Sequence, residues 1–112
     1  PMLFNFDDME ETILHNFNGG KNDTKAKMFI DENVKILYGT LEPGSSIGLH
    51  THEKNSETVY CISGEATIIM DGKTEILKPG MCHYCRMGHT HGMENKGDED
   101  LVIFAVVPNH EK

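Results

Sequence analysis

Short runs rich in apolar and β-branched residues are separated by polar turn clusters along the whole chain. The clusters are Asn18-Gly19-Gly20, Asp31-Glu32-Asn33, Pro43-Gly44, Ser63-Gly64, Asp71-Gly72, Pro79-Gly80, Gly88 and Gly97-Asp98. They recur roughly every eight to twelve residues, the rhythm of short strands joined by turns. The intervening runs predict strands at residues 26–30, 34–41, 47–52, 57–62, 65–70, 74–77, 81–85, 92–94 and 101–107. Asp71-Gly72, set between two β-rich runs, predicts a two-residue hairpin turn. A helical turn is expected only at residues 7–14. The pattern as a whole predicts an all-β sandwich or barrel.

Two of these strands carry apolar residues on both faces. Residues 101–107 are apolar throughout, and Ile47 and Leu49 are expected to lie opposite the face of His50 and His52. A strand that is hydrophobic on both sides needs cover on both sides. The N-terminal segment, residues 1–24, is expected to pack on a barrel of residues 25–112 or on a partner subunit. A homodimer is the expected cover for the rest.

Candidate chemistry centres on His50-Thr51-His52, followed by Glu57 and, further on, His91. Histidines two apart share a face only on a strand, because strand side chains alternate with period two. Residues 53–56 are polar and predict a loop, so a hairpin returns Glu57 close to His52. Three imidazoles and one carboxylate suit a first-row transition ion and are too nitrogen-rich for calcium or magnesium.

The spacing resembles the two motifs of the cupins. The first has Gly, five residues, His-x-His, three or four residues, Glu, six residues and Gly; here these are Gly44, His50, His52, Glu57 and Gly64. The second has Gly, five residues, Pro-x-Gly, two residues, His, three residues and Asn; here it reads Gly80, Arg86-Met87-Gly88, His91 and Asn95. Arg86 stands where the family has proline, which bears on the turn before His91 and not on His91 itself. The motifs span residues 44–95. The resemblance implies a single-domain jelly-roll barrel, the cupin-type double-stranded β-helix, with metal ligands His50, His52, Glu57 and His91. It implies one divalent transition-metal ion: iron, manganese, nickel, cobalt or zinc. Four protein ligands would fill a tetrahedral zinc, whereas an octahedral ion keeps two positions open for a substrate.

Other polar residues have simpler readings beside the functional one. His15 and His110 are expected on the surface. Cys82 and Cys85 lie three apart on a strand, hence on opposite faces, which disfavours a redox pair, and with only three residues between Cys85 and His89 a second metal site with His89 and His91 falls short of finger spacing. His83, His89 and Arg86 are the candidates for catalytic or substrate-contacting roles, as proton carriers or as an anion partner. Met93 shares the parity of His91.

At 112 residues the chain is expected to be one domain, with a net charge of −8 when its histidines are neutral. Such a charge repels phosphodiesters and anionic lipid, so neither nucleic acid nor membrane is an expected partner. No nucleotide-binding glycine loop or serine-centred nucleophile elbow is present in the sequence. An odd number of cysteines and no signal-like leader predict a cytoplasmic protein. Three functional classes remain. One is a metal-dependent oxygenase, oxidoreductase or lyase on a small organic molecule. The others are a metal-dependent sugar or sugar-phosphate isomerase and a non-catalytic ligand-binding or sensing module.

Overall fold

The computed structural model describes residues 2–110. Ten strands run among the described residues: β1 (Thr12–His15), β2 (Asp23–Ile30), β3 (Val34–Leu41), β4 (Ser46–Thr51), β5 (Glu57–Ser63), β6 (Ala66–Met70), β7 (Lys73–Leu77), β8 (Cys82–Cys85), β9 (Thr90–Glu94) and β10 (Leu101–Pro108). They form a six-stranded sheet, β1-β2-β3-β10-β5-β8, and a four-stranded sheet, β4-β9-β6-β7. Every pairing is antiparallel. The inner faces of the two sheets meet over a core that includes Leu37, Leu41, Val59, Ile68, Leu101 and Ile103. Among the described residues, no helix is long and apolar enough to cross a membrane.

Each run expected to be extended forms a strand, with only His52, Glu65 and Met81 falling just outside its ends, and the Asp71-Gly72 turn forms with positive φ at both residues, 49° and 80°. That is the backbone of a type I′ hairpin, whose twist matches the flanking strands. The helical turn expected at 7–14 is replaced by a single 3₁₀ turn, Phe6–Asp8, followed by β1. The Asn5 side chain caps that turn by accepting from the Asp7 amide at 3.1 Å. β1 then pairs with β2, and the His15 imidazole meets the Asp23 carboxylate at 2.8 Å. Neither feature leaves a periodicity a short sequence window would show.

β10 alternates buried and half-buried residues along its length, with Leu101, Ile103, Ala105 and Val107 facing the core. Its outward face is covered in part by the N-terminal segment. Phe6 stacks on Tyr38 and meets Phe104 edge-on, with ring centroids 5.2 and 6.0 Å away, while Phe4 lies on Phe29 at 4.8 Å. Over β5 and β8 that cover ends, leaving Tyr60, Ile62 and Tyr84 exposed.

The strand carrying two of the candidate ligands departs from the expected parity. Pairing between β4 and β9 shifts register between Ile47 and His50. A bulge adds one residue to one strand, so side chains three apart come to share a face. Ile47 is therefore buried in the core on the same inner side as His50, and only Leu49 faces out. This corrects the expectation that Ile47 lies on the outer face. The bulge is held by close backbone approach: a Cβ on Gly48 would lie 2.0 Å from the Asn18 carbonyl oxygen.

Candidate metal centre

Each candidate ligand sits at the end of an element. His50 is near the end of β4 and His52 just beyond it, Glu57 opens β5, and His91 lies on β9 directly across from His50. The loop between His52 and Glu57 is short enough to keep both in one cluster. The peptide of His52 is tied to the turn before His91: its amide donates to the His89 carbonyl at 3.1 Å, and its carbonyl accepts from the Gly88 amide at 2.6 Å. That turn closes with the His89 amide donating to the Arg86 carbonyl at 3.1 Å, and Gly88 has φ of 89°. A type II turn needs glycine at its third position and makes no demand for proline at its first, so Arg86 is tolerated there. Asn95, the last motif residue, is fully buried and braces loops: its amide donates to the Leu41 and Glu99 carbonyls, both at 2.8 Å.

The three imidazoles and the carboxylate converge. The His91 Nε2 lies 3.0 Å from that of His52 and 3.1 Å from that of His50. The Glu57 Oε1 lies 2.9 Å from His91, 3.1 Å from His52 and 3.8 Å from His50. One donor atom from each of the four residues lies within 4.8 Å of all the others, so the cluster could hold a metal ion.

The ring nitrogens turned away from the cluster decide what it offers. The His50 Nδ1 donates to the Gly48 carbonyl at 2.8 Å, and the His52 Nδ1 donates to the Asn55 Oδ1 at 2.6 Å. Behind His91 stands His83, whose Nδ1 donates to the Glu75 carboxylate at 3.1 Å. The His83 Nε2 is then an acceptor, and the His91 Nδ1 donates to it at 3.0 Å. Each neutral ligand ring therefore carries its proton on Nδ1 and aims an Nε2 lone pair inward. Three lone pairs and a carboxylate oxygen crowded together repel one another unless a proton or a cation stands among them. The donor spacing also fits an ion. Donors about 2.1 Å from an octahedral ion lie about 3.0 Å apart when adjacent, against about 3.4 Å for a tetrahedron. Four of the six separations are 2.9–3.1 Å; His50 to Glu57 is wider at 3.8 Å, and His50 to His52 lies within 4.8 Å.

Without an ion, protons on the Nε2 side shared with Glu57 relieve the same crowding. Burial pushes the Glu57 carboxyl up, but hydrogen bonds from His50, His52 and His91 outweigh it and hold the group well below the usual carboxylate range. His52 is raised above its ordinary 6.5 by its hydrogen bond to Glu57, against the opposing effect of burial. His83 is lowered, first by burial and then by the charge of His91, consistent with a neutral ring in the hydrogen-bond chain.

A cavity of about 300 Å³ opens from the cluster between the sheets, with His50, His52, Glu57 and His91 in its wall beside Leu37, Ile47, Met93 and Ile103. None of the candidates His83, His89 and Arg86 lines it. His83 is buried and points inward, but His91 stands between it and the cavity. His89 is turned outward and held by the Asp71 carboxylate at 2.5 Å. Arg86 is exposed on the turn. Cys85 is buried, its thiol pushed up to about 11 by burial and then by Glu57 and Asp71, while Cys82 is exposed on the opposite face. Lys35, Asn55 and Glu75 were not singled out from the sequence. Only Lys35 left a usable signal there, as a charged residue in phase with the apolar Leu37.

A family model described as a cupin domain matches residues 37–107. The chain belongs to the cupin superfamily. An oxalate-binding protein of Thermotoga maritima is 32% identical over 100 residues, covering 84% of this cupin and 83% of that protein. A crystal structure from Thermotoga maritima, described as a predicted oxalate decarboxylase, is similar with a TM-score of 0.91 and 28% identity, over 96% of this chain and 99% of that one. KdgF from Halomonas sp. is similar in fold, with a TM-score of 0.79 at 16% identity over 99% and 96% of the two chains.

Proposed function

We propose that this cupin holds one divalent transition-metal ion through His50, His52, Glu57 and His91 and uses it to bind a small organic carboxylate of the oxalate type. The observation that carries the reading is the fixed tautomers: three Nε2 lone pairs and the Glu57 oxygen meet at one point beside a cavity. The name of the Thermotoga maritima relative supports the ligand class. When bound, the ion supplies Lewis-acid polarisation of a ligand's oxygen. Glu57 keeps one negative charge at the site. The Gly48 carbonyl, Asn55 and His83 hold the three rings in place. Leu37, Ile47, Met93 and Ile103 exclude water around the ligand.

Turnover by this site, of an oxygenase, oxidoreductase or lyase kind, would be chemistry at the ion, with the chain orienting the substrate. Isomerisation is less well supported, because it needs a base that moves a proton between carbons. His83 and His89 stand outside the cavity, and the lining Asp31 carboxylate already accepts from the Asn33 and Val34 amides, both at 2.9 Å. The reading includes a homodimer across the exposed outer face of β5 and β8, which light scattering at micromolar concentration checks.

Elemental analysis of untagged protein is expected to give about one ion per chain, and calorimetry to detect oxalate binding that chelator treatment abolishes. His91→Ala is expected to fold and to retain under about a tenth of the ion. A folded His91→Ala protein with unchanged metal content would overturn the proposal.

A further inference from the structure

The cavity contains a cation that the metal cluster does not use. Among the described residues, Lys35 is the sole lysine or arginine lining it. Its position follows from register. Val107 pairs with Lys35 on one side, and continuing the β10–β5 pairing of Val106 with Thr58 by one residue places Val107 opposite Glu57. Glu57, Val107 and Lys35 thus form one cross-strand row on the inner face of the six-stranded sheet. With neighbouring strands about 4.8 Å apart, the Glu57 and Lys35 backbones stand about 10 Å from each other. Both side chains rise from the same face into one cavity, so a single ligand there can meet the ammonium and the metal cluster together.

Two observations mark this ammonium as available. Among the described residues it has no ion-pair partner, whereas Lys21 pairs with Glu94 and Lys25 with Glu42. It lies instead over the Phe17 ring, 5.2 Å from the centroid, at the cavity wall. A half-buried lysine beside apolar side chains and without a carboxylate partner keeps an unmet demand for an anion. The rest of the lining constrains the anion's shape. Oxalate is little larger than a few waters of about 30 Å³ each and would leave much of the cavity empty. Ile47, Met93, Ile103 and Val107 offer apolar surface to something longer.

We infer that Lys35 is the anion anchor of this cavity, and that the ligand is a carboxylate with an apolar body, an aryl or branched α-keto acid, rather than oxalate itself. This rests on the metal-dependent binding proposed above. The carboxylate pairs with Lys35, the apolar body packs on the Ile47 and Met93 side of the barrel, and the remaining oxygen donors meet the ion.

The test uses the full chain loaded with manganese, with metal content measured before any ligand is added. Calorimetric titrations with phenylpyruvate and with oxalate are run on wild type, Lys35→Gln and Lys35→Arg. Phenylpyruvate is expected to bind wild type at least about 10-fold more tightly than oxalate, through its larger buried apolar area. Lys35→Gln is expected to weaken phenylpyruvate by about 10- to 100-fold at unchanged metal content, the size of one charge-assisted hydrogen bond, and Lys35→Arg to recover most of that loss. Unchanged affinity in Lys35→Gln overturns the anchor, and tighter binding of oxalate overturns the apolar body. Binding of neither anion to loaded protein overturns the whole inference while leaving the metal site standing. A wild type that takes up neither manganese nor, on reloading, iron, cobalt, nickel or zinc fails the earlier reading and this one together.

Discussion

Strand β9 has two neighbours that treat it differently. On one side β6 pairs in unbroken register, from Thr67 opposite Glu94 to Met70 opposite His91. On the other side β4 slips between Ile47 and His50. Along the regular side the side chains keep period two, and Ala66 and Ile68 are buried as a simple alternation expects. Along the irregular side Ile47 and His50, three apart, both face the cavity. Without the extra residue, a β4 with Ile47 in the core would turn His50 and His52 to solvent. The regular pairing builds a wall and the bulge aims the ligands. The regular side still contributes from a distance: Glu75, on β7, reaches the His83 that braces His91.

The sharpest way to break this contrast is to put a methyl group on each side. Gly48→Ala sets a Cβ 2.0 Å from the Asn18 carbonyl oxygen, and backbone must move to admit it. A loss of about 3 kcal/mol or more in urea unfolding is expected, together with weakened metal binding. Gly72→Ala in the β6–β7 turn meets open space, and its only cost is a positive φ of 80°, about 1 kcal/mol. Equal losses in the two variants would mean that the bulge is no tighter than an ordinary turn.

Removing the brace should have a smaller and more selective effect. His83→Ala leaves the His91 Nδ1–H without its acceptor, and metal affinity measured by chelator competition is expected to fall by about 10- to 100-fold. His83→Gln, whose amide oxygen can accept the same proton, should recover part of it. Wild-type affinity in His83→Ala would show that the regular side contributes packing alone.

The smallest expected effect is a pH dependence at the irregular edge. His52 has a raised value in the folded metal-free protein, so its contribution to stability is fully present below its ordinary 6.5 and is lost as pH rises through the folded value. Compared without metal, wild type should exceed His52→Gln in Tm by the widest margin near pH 6. The margin should narrow by about 2–4 °C on the way to pH 8. Metal binding runs the opposite way, strengthening as pH rises, because the ion needs the lone pair that a proton would occupy. A margin constant with pH would show that His52 does not hold its proton against Glu57.

Much of the architecture could be read locally. Asp71-Gly72 announced its own hairpin, since both residues accept positive φ, and the β-branched runs marked their strands. The four candidate ligands do meet: His-x-His on a strand and a short loop gather His50, His52 and Glu57, and pairing of β9 with β4 brings His91 across from His50. β1 was invisible: four residues held by pairing with β2 and by His15 on Asp23 carry no periodic signature. His83 was placed on the inner face only after its neighbours were known, since parity along Cys82–Cys85 does not say which face is inside.

By itself the sequence determined that this chain is all-β, where its turns fall, and that His50, His52 and Glu57 gather at one end of a hairpin, because those are properties of residues near one another along the backbone; His91 joined them only through the resemblance to the second cupin motif. Only the tertiary structure decided that a bulge turns Ile47 inward, that Glu75 and His83 stand behind His91, and that Lys35 shares the cavity with the ligands. Each of these depends on register between strands distant in sequence. Register is settled by how the two sheets bury their faces against each other, which no local window contains.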